Sequence, residues 1–166
     1  MKFNYYAFRA MYLHEMDRFK RTLMQSLFSP VLSTSLYFIV FGSVIGGYVE
    51  KIDGISYGSF IVPGLLMLTL LTQSISNTSF GIFFPKFNGT IYEILAAPIS
   101  TFEIVLAFVG AGATKTLIVG LVIFLTSTFF VEVQVMYPLL MIFLLVLVAF
   151  TFALFGFLIG LMSSNF

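Results

Sequence analysis

The chain has 166 residues, 60% of them hydrophobic and only 9% charged, with a formal net charge of +1 and a mean hydropathy of +1.07. A soluble domain carries about 25% charged residues to face water, so this composition excludes a water-soluble globule and places the chain in a bilayer. Nothing in the charge points to a nucleic-acid partner. With no Cys and one His, His14, the chain offers no thiolate metal site, no cysteine nucleophile and little for a His-based site, so no cofactor is expected.

The N-terminus is not expected to be a cleavable signal peptide, because Arg9, Glu15, Asp17, Arg18, Lys20 and Arg21 precede any apolar run. Tyr5, Phe8, Tyr12, Met16, Phe19, Leu23 and Leu27 recur at spacings of three and four. This predicts one amphipathic helix over 5–27, within an N-terminal segment 1–28. Its apolar stripe suits the lipid boundary and its basic side the anionic headgroups; a plain juxtamembrane anchor is the other reading.

A first span is expected over 29–49, since about 20 apolar residues cross the hydrocarbon core. Gly42 and Gly46 in it form a GxxxG pair. The loop EKIDGISYGS carries only Lys51, against Lys2, Arg9, Arg18, Lys20 and Arg21 before the span. Basic residues favour the cytoplasmic side, which puts the N-terminus inside. A second span follows over 60–84, with Pro63 in its first turn, where a missing N–H costs little. Thr69, Gln73 and Asn77 step by four along one face. Amide groups in lipid need partners, so this face either lines a transport path or bonds to a neighbouring helix.

Between uncharged runs lies the polar stretch KFNGTIYEILAAPISTFE, Lys86 to Glu103. Asn88-Gly89 predicts a turn, Ile91, Tyr92, Ile94 and Leu95 share a broad face of a short helix, and Pro98 stops it. Such a helix on the cytoplasmic side is expected to touch a partner. The third span, 104–131, contains Lys115. A charge at the bilayer centre costs about 2.5–3.5 kcal/mol, so Lys115 is expected near the inner boundary with its ammonium snorkelling to headgroups, in preference to a buried substrate-binding lysine. The turn EVQVMYP leads to a fourth span, 139–162, with a second GxxxG at Gly156 and Gly160, and the tail 163–166 returns inside. The carboxylate pairs Glu50/Asp53 and Glu93/Glu103 have no His or Cys partner and read as solvated loop charges. The chain is thus expected to be an all-α integral membrane protein: an interfacial helix, about four transmembrane helices, and a short cytoplasmic helix between the second and third.

RFKRTLMQSLFSPV, LYFIVFG at Leu36–Gly42, SYGSFIVPGLLM at Ser56–Met67 and KFNGTIYEILAAPIS at Lys86–Ser100 together resemble the membrane permease subunit of ABC-2 type ABC transporters, the class of drug and polysaccharide exporters. The resemblance implies a homodimer of permeases working with separate ATPase subunits in a bacterial-type inner membrane. Its substrate would be drug-like, lipid-linked or polysaccharide. It also implies that Asn88, Gly89, Thr90, Ile91, Tyr92, Glu93, Ile94, Leu95 and Pro98 form a coupling helix that docks on the ATPase, and that Arg18, Phe19 and Arg21 belong to a connecting helix. Glu93 is expected to contact the ATPase or that connecting helix. The sequence has no GxxxxGK[ST] phosphate loop, so ATP hydrolysis is expected on the other subunit. Members of this class usually have six spans. A fragment, a truncated product or a half-sized form is therefore expected here, with a non-transporting assembly partner or remnant as the alternative.

Overall fold

The computed structural model describes residues 3–45, 51–52, 55–133 and 135–163. Among them run six α-helices: α1 (Tyr5–Arg21), α2 (Leu23–Tyr37), α3 (Tyr57–Phe87), α4 (Ile91–Ala96), α5 (Thr101–Ser127) and α6 (Pro138–Met162). A π-helical segment, Phe38–Ile45, continues α2, and the short strands β1 (Lys51–Ile52) and β2 (Ile55–Ser56) pair antiparallel before α3. Four stretches are long and apolar enough to cross a membrane: Leu23–Phe41, Tyr57–Phe87, Thr101–Ser127 and Pro138–Met162. The all-α integral membrane architecture follows the sequence reading. Gly46 of the first GxxxG pair, the acids Glu50 and Asp53, and residues 164–166 lie outside the described residues.

The N-terminal helix is shorter than its periodicity predicts. It breaks at Thr22 (φ −105°, ψ 15°), whose hydroxyl donates back to the Arg18 and Phe19 carbonyls at 3.3 and 3.4 Å. A threonine bonded in this way competes with the helical ladder. Leu23 therefore opens a new helix, and the first apolar stretch begins six residues before the expected 29. α3 also starts early, because the Ser56 hydroxyl accepts the Ser59 N–H at 3.3 Å and caps the helix. Pro63 then falls in the second turn rather than the first, where its missing N–H removes the bond to the Ser59 carbonyl.

α5 is the centre of the bundle. More than half of its apolar window is buried, against about a quarter or less for the other three. Ala107, Ala111, Gly112 and Ala113 let neighbours approach on several sides. α1, α2, α3 and α6 all pack on it, and a helix that is apolar all round is one that is enclosed. Its start is fixed by a capping box: Ser100 accepts the Glu103 N–H at 3.3 Å, and Glu103 accepts the Ser100 N–H at 2.9 Å. The helix consequently begins at Thr101 and ends at Ser127, ahead of the expected 104 and 131.

α6 lies against α3 along Ala149, Ala153, Gly156 and Gly160, the second GxxxG included. A Cβ on Gly156 would sit 2.5 Å from the Ile75 carbonyl oxygen, and one on Gly160 would sit 2.6 Å from that of Ser79. Only glycine permits this approach. Ser74 ties the same seam by donating to the Ala149 carbonyl at 2.6 Å.

Candidate coupling helix and the junction of the N-terminal helix

α3 has 31 residues and α5 has 27, which makes them about 46 and 40 Å long at 1.5 Å per residue, against a hydrocarbon core of about 30 Å. The hairpin they form is longer than a crossing needs, and α4 stands at its tip. Asn88 closes α3, Gly89 turns the chain with φ +77°, and Thr90 leads into six helical residues. Ala97 is extended (ψ 151°), as the residue before Pro98 is bound to be. The turn, the helix and its stop thus follow the sequence reading.

The broad apolar face of α4 divides in two. At 3.6 residues per turn its four apolar residues cover an arc of roughly 160°, wider than one contact. Ile91 and Ile94 pack on the core cluster around Ile82, Ile104 and Phe108, whereas Tyr92 and Leu95 are 73% and 63% exposed. Glu93 is exposed beside them. Among the described residues it makes no bond to α1. The acid that does is Glu103, buried instead of solvated in a loop, whose Oε1 accepts the Asn4 N–H at 2.5 Å.

That bond is one of three placing α1 alongside α5, both running in the same direction. Further along, the Tyr12 hydroxyl donates to Thr114 Oγ1 at 2.9 Å, and Lys115 Nζ donates to Glu15 Oε2 at 2.8 Å. Phe8, Tyr12, Met16 and Phe19 are half-buried or buried while Tyr5, at the start of the stripe, is exposed, so the stripe from Phe8 onward faces the protein rather than the lipid boundary. Lys115 does not snorkel. It is 3% exposed, and so is Glu15. The same Glu15 oxygen also takes Arg18 Nη2 at 2.9 Å. The pairing leaves a sequence signal: Glu15 lies on the stripe between Tyr12 and Phe19, the one acid on that face, and Lys115 is the one charge in the interior of its apolar run.

Beside this ion pair is a half-open cavity of about 130 Å³. Arg18 and Phe19 reach it from α1, Thr22 from the break, Ser26 from α2 and Lys115 from α5; α3 adds Ser76, Asn77 and Phe80. Of the residues singled out from the sequence, the structure therefore gathers Arg18, Phe19, Asn77 and Lys115 in one place. Arg21 stays exposed on the outer side of α1. Thr69, Gln73 and Asn77 are half-buried. Thr69 donates to its own Leu65 carbonyl at 2.8 Å, and Asn77 bonds Gln73 at 3.4 Å along the helix. Bonding to a neighbouring helix falls to Ser74, one position round. Lys86, which the sequence reading gave no role, donates to the Leu161 and Ser163 carbonyls at 2.5 and 2.9 Å and closes the C-terminus of α6. Among the described residues no three His, Asp or Glu side chains gather as a metal site.

The ABC-2 type transporter family matches residues 6–166. Over 160 residues the chain is 38% identical to the inner membrane transport permease YadH of Escherichia coli strain K12, and equally to YadH of Shigella flexneri. The match covers 96% of this chain and 62% of those relatives, so the chain spans less than two thirds of their length. No solved structure matches it significantly. The family match, this identity and the long apolar helices agree: the chain belongs to the ABC-2 type transporter family.

Proposed function

We propose that the chain is the transmembrane permease subunit of an ATP-driven exporter in a bacterial-type inner membrane. It would work as a dimer, with ATP hydrolysed on a separate nucleotide-binding subunit, and move a drug-like, lipid-linked or polysaccharide substrate out of the cytoplasm. The observation that carries this reading is the division of α4. Ile91 and Ile94 root it in the core while Tyr92, Glu93 and Leu95 are presented outward. A helix held in this way can be gripped from outside and can pass displacement to α3 and α5, the two long helices it joins. Motion follows only if the ATPase binds the outward face differently in its two nucleotide states. The basic residues Arg9, Arg18, Lys20 and Arg21 support a cytoplasmic N-terminus, on the same side as α4. Thr69, Gln73 and Asn77 form the proposed lining of the path. In support, their polar groups bond only within α3 among the described residues.

The test is the protein reconstituted in vesicles with its ABC ATPase subunit. Alanine at both Tyr92 and Leu95 is expected to weaken the subunit contact by about tenfold or more, since an interfacial aromatic anchor contributes more than about 1 kcal/mol. Transport and permease-stimulated ATP hydrolysis should fall with it, while the melting temperature of the permease is unchanged. Unaltered stimulation in that variant would remove α4 from the mechanism.

A further inference from the structure

The cavity where α1, α3 and α5 meet holds more positive charge than its own residues neutralise. Arg18 Nη2 and Lys115 Nζ both bond the same oxygen of Glu15. Two cations thus share one carboxylate and leave one positive charge in excess. Lys115 is buried and spends a single N–H on Glu15 among the described residues. Lys115 and Glu15 balance each other in the interior, so the excess charge sits on the part-exposed Arg18, which lines the cavity and favours an oxyanion there through charge-assisted hydrogen bonds. The remaining walls suit one with an apolar attachment. Ser76 and Asn77 offer a hydroxyl and an amide N–H, and Phe19 and Phe80 offer apolar surface beside them. The volume of about 130 Å³ is that of roughly four waters, enough for one tetrahedral oxyanion, and the open side leaves room for its substituents.

We propose that this cavity binds the phosphate of an anionic phospholipid, held by Arg18 and Lys115 with Ser76 and Asn77, with its glycerol and acyl part leaving past Phe80. Arg18 is the residue to test. Its side chain is 36% exposed, and Arg18→Gln leaves Glu15 and Lys115 as a neutral pair, so the fold is kept while the excess charge is lost. Asn77→Leu is the second variant, which fills the cavity without touching the ion pair.

The experiment is binding of short-chain phosphatidylglycerol to the detergent-purified full-length protein, with inorganic phosphate as the second probe. A lipid site gives saturable phosphatidylglycerol binding, much weaker phosphate binding, and about a tenfold or greater loss of lipid affinity in both variants. That loss corresponds to one charge-assisted hydrogen bond. Equal affinity for phosphate and lipid, lost in both variants, keeps the oxyanion site and assigns it to free phosphate. The proposal is overturned if neither probe binds, as when an acidic side chain from elsewhere in the assembly fills the cavity, or if both variants bind phosphatidylglycerol like the wild type. No ATP or transport enters the measurement, so its failure leaves the permease reading untouched.

Discussion

Glu15 is the residue whose loss should cost most at the seam between α1 and α5. It is buried, and one of its oxygens holds Lys115 at 2.8 Å and Arg18 at 2.9 Å. Removing one member of a buried ion pair costs about 3–5 kcal/mol, because the other charge stays behind without a partner. Glu15→Gln strands two neighbouring cations and belongs at the upper end, about 5 kcal/mol. Lys115→Met leaves Glu15 with the part-exposed Arg18, and so belongs at or below about 3 kcal/mol. The double variant removes both buried charges. It should be more stable than Glu15→Gln alone, a coupling that a double-mutant cycle reads directly. The assay is denaturant unfolding in an uncharged detergent, with no anionic lipid present to replace the lost carboxylate. If Glu15→Gln were no less stable than Lys115→Met, or within about 0.5 kcal/mol of wild type as an ordinary surface change is, the seam would not depend on its charges and the reasoning would fail.

Two further outcomes follow from backbone approach and capping. Leucine at Gly156 has no room beside the Ile75 carbonyl; it should force α6 off α3 and destabilise by about 1–3 kcal/mol or more. Leucine at Gly64, where a Cβ would meet nothing within 4 Å, should be far milder in the same unfolding assay. Lys86→Met should free the carbonyls at the end of α6 and remove about 0.3–1 kcal/mol of dipole and hydrogen-bond stabilisation. Faster amide exchange confined to the last turn of α6 is the readout, and exchange unchanged there would deny Lys86 its capping role.

The sequence made the spans legible because long uncharged runs have few alternatives in a chain this apolar. α4 was legible for a different reason: Gly89 and Pro98 each impose a backbone geometry of their own. The break at Thr22 was hidden, since Leu23 and Leu27 continue the spacing of the preceding helix and a threonine's bond to a carbonyl leaves no periodic trace. The division of α4 depends on what stands behind it. Only the positions of Ile82, Ile104 and Phe108 decide that Ile91 and Ile94 turn inward. Lys115 was visible as an oddity but not as half of a pair, because its partner lies 100 residues away. The acid on the apolar stripe and the lysine in the apolar run are each anomalous alone. Together they resolve each other.

The docking of α1 on α5 also sets an order of events during synthesis. Glu15 leaves the ribosome 100 residues before Lys115, roughly 5–20 s earlier at common translation rates. Throughout that interval the N-terminal helix has no α5 to lie against, and its carboxylate has only Arg18. When α5 arrives it carries a lysine that is expensive to insert alone, and the waiting acid supplies its counter-charge. α1 is therefore made well before α5 and can be seated against it only once α5 has arrived, when Glu15 meets Lys115.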